Sequence, residues 1–317
     1  MSAREFVCRP RGPRPGPTSH SGKRRIALVI FGARSLGQGS KQGRQDLGWL
    51  EGKNVEYRFL SAAGDVDRLD ALISELIARK ADVIVVPSAP VARAAQRATK
   101  VIPIVMTSVA NAVGNGFVTS LARPGGNITG ISSQGEDVVG KLIEILHELA
   151  QGARSIAILL SEGNPSHAVF WAGAQAACAT LGLVALRVVA RAPAQLAAAV
   201  EQIVSQRMQG VVVPADPMYL GERARLQELM QTTRLPAAWG WREHVVAGGL
   251  LSYGADQVTN FRYAAKWVDK ILKGAKPADL PVEQPIRFEL LINLKTAKAL
   301  GIAIPKKVLL RADEVIR

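Results

Sequence analysis

The stretch NVEYRFLSAAGDVDRLDALISELIARKADVIVVPSAP, residues 54–90, decides how the chain folds. Its start alternates with period 2, as a half-buried strand does. Asp65 then opens a run in which Leu and Ile return at helical spacing, and ADVIVVP closes the stretch as a short, all-apolar strand. Strand, helix and apolar strand make a β-α-β unit whose strands lie parallel. The same order returns in LVALRVVARAPAQLAAAVEQIVSQRMQGVVVPADP, residues 183–217. With a two-residue gap Arg58 falls on Arg187 and Pro87 on Pro214, and both stretches end Val-Val-Pro-x-x-Pro. A repeated unit of this kind predicts an α/β protein of two similar Rossmann-like lobes, each with a parallel sheet.

Working outward, KRRIALVIF (residues 23–31) reads as a buried strand and GQGSKQGRQDLGWL (residues 37–50) as a helix; PVARAAQRAT (residues 90–99) reads as a helix with proline near its first turn. Ligands of open parallel sheets bind outside the carboxyl ends of the strands. Those ends are Phe31–Ser35, Pro87–Pro90, Thr107–Asn111, Ser161–Pro165 and Pro214–Pro217, all rich in small and polar residues. Two lobes facing each other across them would form a cleft. The glycine-rich PGGNITG, Pro124–Gly130, is expected to carry the chain out of the first lobe, with Gly125 and Gly126 supplying positive φ. Later crossings are expected near Gly248–Ala255 and Pro281–Leu294. The expected organisation is a disordered tail over 1–24, a first lobe over 25–130 with a return segment at about 255–294, a second lobe over 131–254 and a C-terminal segment over 295–317. A short helix in that last segment is expected to pack through Ala297 and Leu300.

Composition excludes several classes. The 317 residues suffice for two ordinary domains, and no apolar run reaches the about 20 residues that span a bilayer. Of the net charge of +14, +6 falls in the first 25 residues, where Arg4, Arg9, Arg11, Arg14, Lys23, Arg24 and Arg25 face Glu5 alone. The remaining basic residues scatter without interleaved aromatics, so no nucleic-acid partner is expected. RPRGPRPGPTSHSGKRR carries Pro and Gly at a density that no packed element tolerates. Cys8 and Cys178 give no disulfide framework, and Cys178 reads as a small buried hydrophobe. The four histidines are not spaced as metal ligands, and neither a Gly-x-Ser-x-Gly elbow nor a P-loop occurs. No catalytic residue, metal or cofactor is expected, and the chain does not read as an enzyme.

IPIVMTSVANAVGNGFVTSLARPGGNITGIS (residues 102–132) resembles the ABC transporter substrate-binding proteins, in the uncharacterised branch related to tryptophan-binding lipoproteins. LGWLEGKNVEYRF (47–59), ADVIVVPSAP (81–90), WREHVVAGGLLSYGAD (241–256) and the closing LPVEQPIRFELLINLKTAKALGIAIPKKVLLRADEVI are similar as well. The resemblance covers about residues 24–317. It implies a type 1 periplasmic-binding-protein fold, hinged between its lobes and closing on a small solute. It implies a periplasmic monomer that partners with permease and ATPase subunits. Members begin Arg-Arg-Glu-Phe and run into an apolar signal segment, whereas Ala3-Arg4-Glu5-Phe6-Val7 here runs into RPRGPRPGP. That start reads as a frameshift or a mis-assigned start, returning to register near Lys23, and without its signal segment the chain would serve as a non-exported small-molecule sensor.

The candidate ligand contacts are Arg34, Ser35, Ser88, Ala89, Asn111, Asn164, Pro165, Asp216, Trp239, Arg242 and Glu243. Ser88, ahead of a helix beginning near Pro90, offers a hydroxyl and free backbone N–H groups to a carboxylate. Asp216 lies in the matching turn, where it either accepts a ligand ammonium or caps the helix that starts at Pro217. Together they suggest an amino acid or related small polar solute. Trp239 and Trp241 either stack on a planar ligand or pack the core. Arg242 and Glu243 would orient that wall or bridge the closed lobes, and His167 stands at a strand end.

Overall fold

The computed structural model describes residues 23–30, 43–62, 65–133, 135–285 and 287–317. The first sheet comprises β1 (Arg24–Ile30), β2 (Val55–Ser61), β3 (Val83–Val86), β4 (Ile104–Ala110) and β5 (Ile128–Ser133) in the order β2-β1-β3-β4-β5, every pair parallel. The second holds β6 (Ser155–Ser161), β7 (Val184–Ala190), β8 (Val211–Val213), β9 (Ala237–Trp239) and β10 (Leu251–Ala255) in the matching order β7-β6-β8-β9-β10, again parallel. It continues through β11 (Phe288–Asn293), antiparallel to β10, and β12 (Glu314–Ile316), parallel to β11.

The aligned stretches match in fine detail. Each places a short 3₁₀ turn, Val66–Arg68 or Pro193–Gln195, ahead of a ten-residue helix, Leu69–Ala78 or Leu196–Ser205. Beyond each helix a basic residue turns left-handed, Lys80 at φ 55° and Arg207 at φ 54°, and these two positions also align. The strands that follow are buried on both faces, as their all-apolar composition requires.

The first sheet is covered on one face by helices Leu69–Ala78 and Ala89–Ala98, through Ile73, Leu76, Val91 and Ala95. Its other face packs on Phe261, Trp267 and Val268, from helices Gln257–Tyr263 and Ala265–Leu272. The chain therefore returns from the second sheet to complete the first lobe. It passes between lobes after β5, after β10, and between Glu283 and β11. Glu283 ties these passages together: its backbone N–H donates to the Gly130 carbonyl (2.9 Å) and its carbonyl accepts from the Ser132 N–H (2.8 Å). Its carboxylate takes bonds from the Tyr263 hydroxyl (2.9 Å) and the Lys266 ammonium (2.8 Å).

Pro124–Gly130 does not leave the lobe; it turns the chain into β5. Gly125 (φ 78°) and Gly130 (φ 123°) adopt positive φ and Gly126 does not. A Cβ on Gly130 would collide with the Met106 backbone, where β4 carries an irregularity between Met106 and Val109. The glycine thus buys close approach to a bulged neighbour rather than a hinge. Arg24, assigned from sequence to the tail, is the first residue of β1, and residues 1–22 lie outside the described residues. Ala297 and Leu300 pack against the second lobe's core, and Cys178 is buried there.

Candidate functional site

The carboxyl ends of both sheets meet at one cleft. The first lobe lines it with Ser88, Ala89, Ser108, Ala110 and Ser133, and the second with Asn164, Ser166, His167, Phe170 and Trp241. Gln257 and Phe288, from the passages between lobes, close it. The lobes touch directly: Asn115 Nδ2 donates to Ser166 Oγ (3.0 Å), which donates to the Ala110 carbonyl (3.1 Å).

Ser88 precedes helix Ala89–Ala98 in extended backbone (φ −154°, ψ 162°) and makes no side-chain cap bond. It is 7% exposed, and its hydroxyl has no partner among the described residues. Pro90 has no N–H, and those of Ala89 and Val91 lack intrahelical acceptors, so this helix end presents unspent donors and positive potential to the cleft. Ser108, within the irregularity of β4, lines the same space.

The second lobe treats the matching turn differently. Asp216 is 2% exposed; its Oδ1 accepts from the Met218 N–H (2.8 Å), capping helix Pro217–Gly221, and its Oδ2 accepts from Asn164 Nδ2 (2.8 Å). His167 Nε2 lies 3.6 Å from Oδ2, longer than a hydrogen bond. His167 Nδ1 accepts from the Ser161 N–H (2.7 Å), which leaves the imidazole proton on Nε2, facing the carboxylate. Burial pushes the His167 pKa down, against the pull of Asp216, so the ring is neutral and the pair is not a salt bridge. Behind it lies the Tyr219 ring, stacked 6.4 Å from the imidazole; burial, then Asp216, raises its hydroxyl pKa. Asp216 therefore caps a helix and holds Asn164, with His167 beside it, and it does not line the cleft.

Of the other sequence candidates, Ala89 and Asn164 line the cleft beside Ser88. Arg34 and Ser35 lie outside the described residues. Asn111 (φ 48°) makes a turn, its Oδ1 accepting from the Gly114 N–H (3.0 Å), and does not line the cleft; Asn115 makes the crossing contact instead. Pro165 sits between Asn164 and Ser166 without lining it. Trp239 is fully buried, stacked on His244 at 4.5 Å, in the core. Trp241, two residues on, lines the cleft instead, past Gly240, where a Cβ would strike the Ala215 backbone. Arg242 turns away to Glu289 (2.7 Å) and Glu314 (2.6 Å), tying β11 and β12 to the helix after β9. Glu243 lines a small adjoining cavity with Pro87, Ser88, Pro217, Leu220, Trp241 and Gln257. Ser108 belonged to a strand end already legible, whereas Gln257 and Phe288 reach the site only through the passages between lobes.

The family model of ABC transporter substrate binding proteins matches residues 32–316. A tyrosine-binding protein of Clostridioides difficile is 25% identical over 256 residues, 81% of this chain and 73% of that protein. Among solved structures, an ABC domain in complex with L-Trp from Streptococcus pneumonia is 26% identical, with a TM-score of 0.85 over 93% of this chain and 100% of that one. A conserved domain protein from Vibrio cholerae is 26% identical, with a TM-score of 0.87 over the same shares. The two parallel-dominated lobes are thus those of a type 1 periplasmic-binding-protein-like fold, and the chain belongs to the family of ABC transporter substrate-binding proteins.

Proposed function

We propose that the chain captures a free amino acid with an aromatic side chain in the interlobe cleft and hands it to the permease and ATPase subunits of an ABC transporter. The observation that carries this reading is Ser88: a buried hydroxyl without a partner, at a helix N-terminus whose own donors are unspent, suits a carboxylate. Phe170, Trp241 and Phe288 give the same cleft an aromatic side, with Phe288 backed by Tyr253 at 5.8 Å. Among the relatives at 25% identity or more, one is named a tyrosine-binding protein and another is an ABC domain in complex with L-Trp. The lobes pivot on the passages gathered at Glu283, and the ligand favours the closed arrangement by touching both lobes. The chain works outside the cytoplasm, as a monomer, and catalyses nothing.

Thermal unfolding against each L-amino acid tests the reading. L-tryptophan or L-tyrosine at about 100 times its Kd adds about 2.7 kcal/mol of stability. No shift with any amino acid would overturn it.

A further inference from the structure

The cleft offers donors to a carboxylate, but an amino acid also carries an ammonium, and Asp216 is not there to receive it. Asp256 is spent as well, capping helix Gln257–Tyr263 through the Thr259 N–H (3.0 Å) and hydroxyl (2.6 Å). Among the described residues that line the cleft or the small cavity opening beside Ser88, Trp241 and Gln257, Glu243 is the one acid. It faces the Ser88 helix end from the opposite lobe across that shared space. No cation lies within ion-pair distance of it among the described residues: the adjacent Arg242 is committed to Glu289 and Glu314. We propose that Glu243 receives the ligand's α-ammonium while Ser88 and the helix behind it hold the carboxylate, so that one zwitterion bridges the two lobes.

The assignment rests on the proposed amino-acid ligand and deepens it. Burial raises the Glu243 carboxyl pKa, with its own backbone N–H, Arg242 and Arg223 opposing, which marks a carboxylate short of solvation. A ligand cation supplies the missing charge. The site then discriminates against a carboxylic acid that has the same side chain and no amine, because that acid leaves the carboxylate unmatched.

Calorimetric titration of wild type and Glu243→Gln with L-tryptophan and with indole-3-propionate, its amine-free counterpart, provides the test; L-tyrosine and 3-(4-hydroxyphenyl)propionate repeat it. Wild type is expected to favour the amino acid by about 30-fold or more. Glu243→Gln is expected to reduce that preference to within about threefold, chiefly by weakening the amino acid. Glu243→Asp, measured alongside with the melting temperatures of all three proteins, should keep part of the preference and shows whether a carboxylate rather than a folded wall is needed. An unchanged preference in a folded Glu243→Gln protein overturns the ammonium assignment and leaves the functional reading intact. Failure of wild type to bind either amino acid overturns both.

Discussion

The turn that closes β3 and the turn that closes β8 occupy equivalent places in the two lobes, yet they treat the helix that follows in opposite ways. At Ser88 the helix end is left uncapped, its hydroxyl without a partner among the described residues and beside the cleft. At Asp216 the helix end is closed by its own side chain, whose second oxygen anchors Asn164. On the proposed reading the first lobe keeps its helix end free for a ligand, whereas the second uses its carboxylate to cap a helix and hold Asn164, which lines the cleft. Duplicated topology places the two turns at the same cleft; the side chain at the cap sets whether the helix end is closed or left open to it.

The most drastic way to break the contrast is to give the first lobe the second lobe's cap. Ser88→Asp should satisfy the helix end, keeping or raising the melting temperature, while a carboxylate now faces the ligand's carboxylate. Like charges so placed cost several kcal/mol, on the order of a 100-fold loss or more in L-tryptophan affinity by calorimetry. The reverse change, Asp216→Ala, removes the cap and strands Asn164, at about 3 kcal/mol of stability in urea unfolding, with affinity reduced by less than about tenfold. Affinity lost in step with an unchanged unfolding midpoint would show that Asp216 meets the ligand directly.

Acid should separate the lobes as well. Burial pushes the pKa of His167 down, and burial with Arg223 nearby takes that of His244 to about 3, and both residues sit in the second lobe. The unfolded chain takes up these protons near its ordinary histidine pKa of about 6.5 while the folded chain does not. Stability from the neutral rings is thus present above about pH 6.5 and is lost as pH falls below it, by about 1 kcal/mol for His244 between pH 6.5 and 5.5, with His167 adding to the loss in the same direction. Hydrogen exchange over that interval should show the second lobe opening first. The smallest effect belongs to Ser88→Ala: with no cap bond to lose, stability should hold, and L-tryptophan affinity should fall about tenfold, or about 1.4 kcal/mol.

The lobes and their order were legible because the period-2 strand, the amphipathic helix and the Val-Val-Pro ending occur twice, and an apolar strand buried on both faces has few other readings. Ser88, Ala89 and Asn164 were legible for the same reason, standing at strand ends. Asp216 was not resolvable, since a carboxylate before a proline caps a helix and faces a cleft with the same local sequence; only the positions of Asn164 and His167, 52 and 49 residues away in sequence, separate the two. Trp239 and Trp241 were ambiguous until the register of β9 pointed one inward and left the other beyond its end. PGGNITG misled because a glycine needed for contact with Met106 and a glycine needed for a hinge carry the same letter. Gln257 and Phe288 depend on passages between lobes, which no local pattern encodes.

The reversal of direction at β11 has a practical corollary. β10 runs toward the cleft, β11 runs back, and β12 follows β11, so Ile316 finishes at the pole of the second lobe remote from the opening. A surface, bead or fluorescent carrier coupled through Arg317 would leave the mouth of the cleft unobstructed, so the proposed capture and closure can be read on the immobilised protein from the distance between dyes placed on the two lobes.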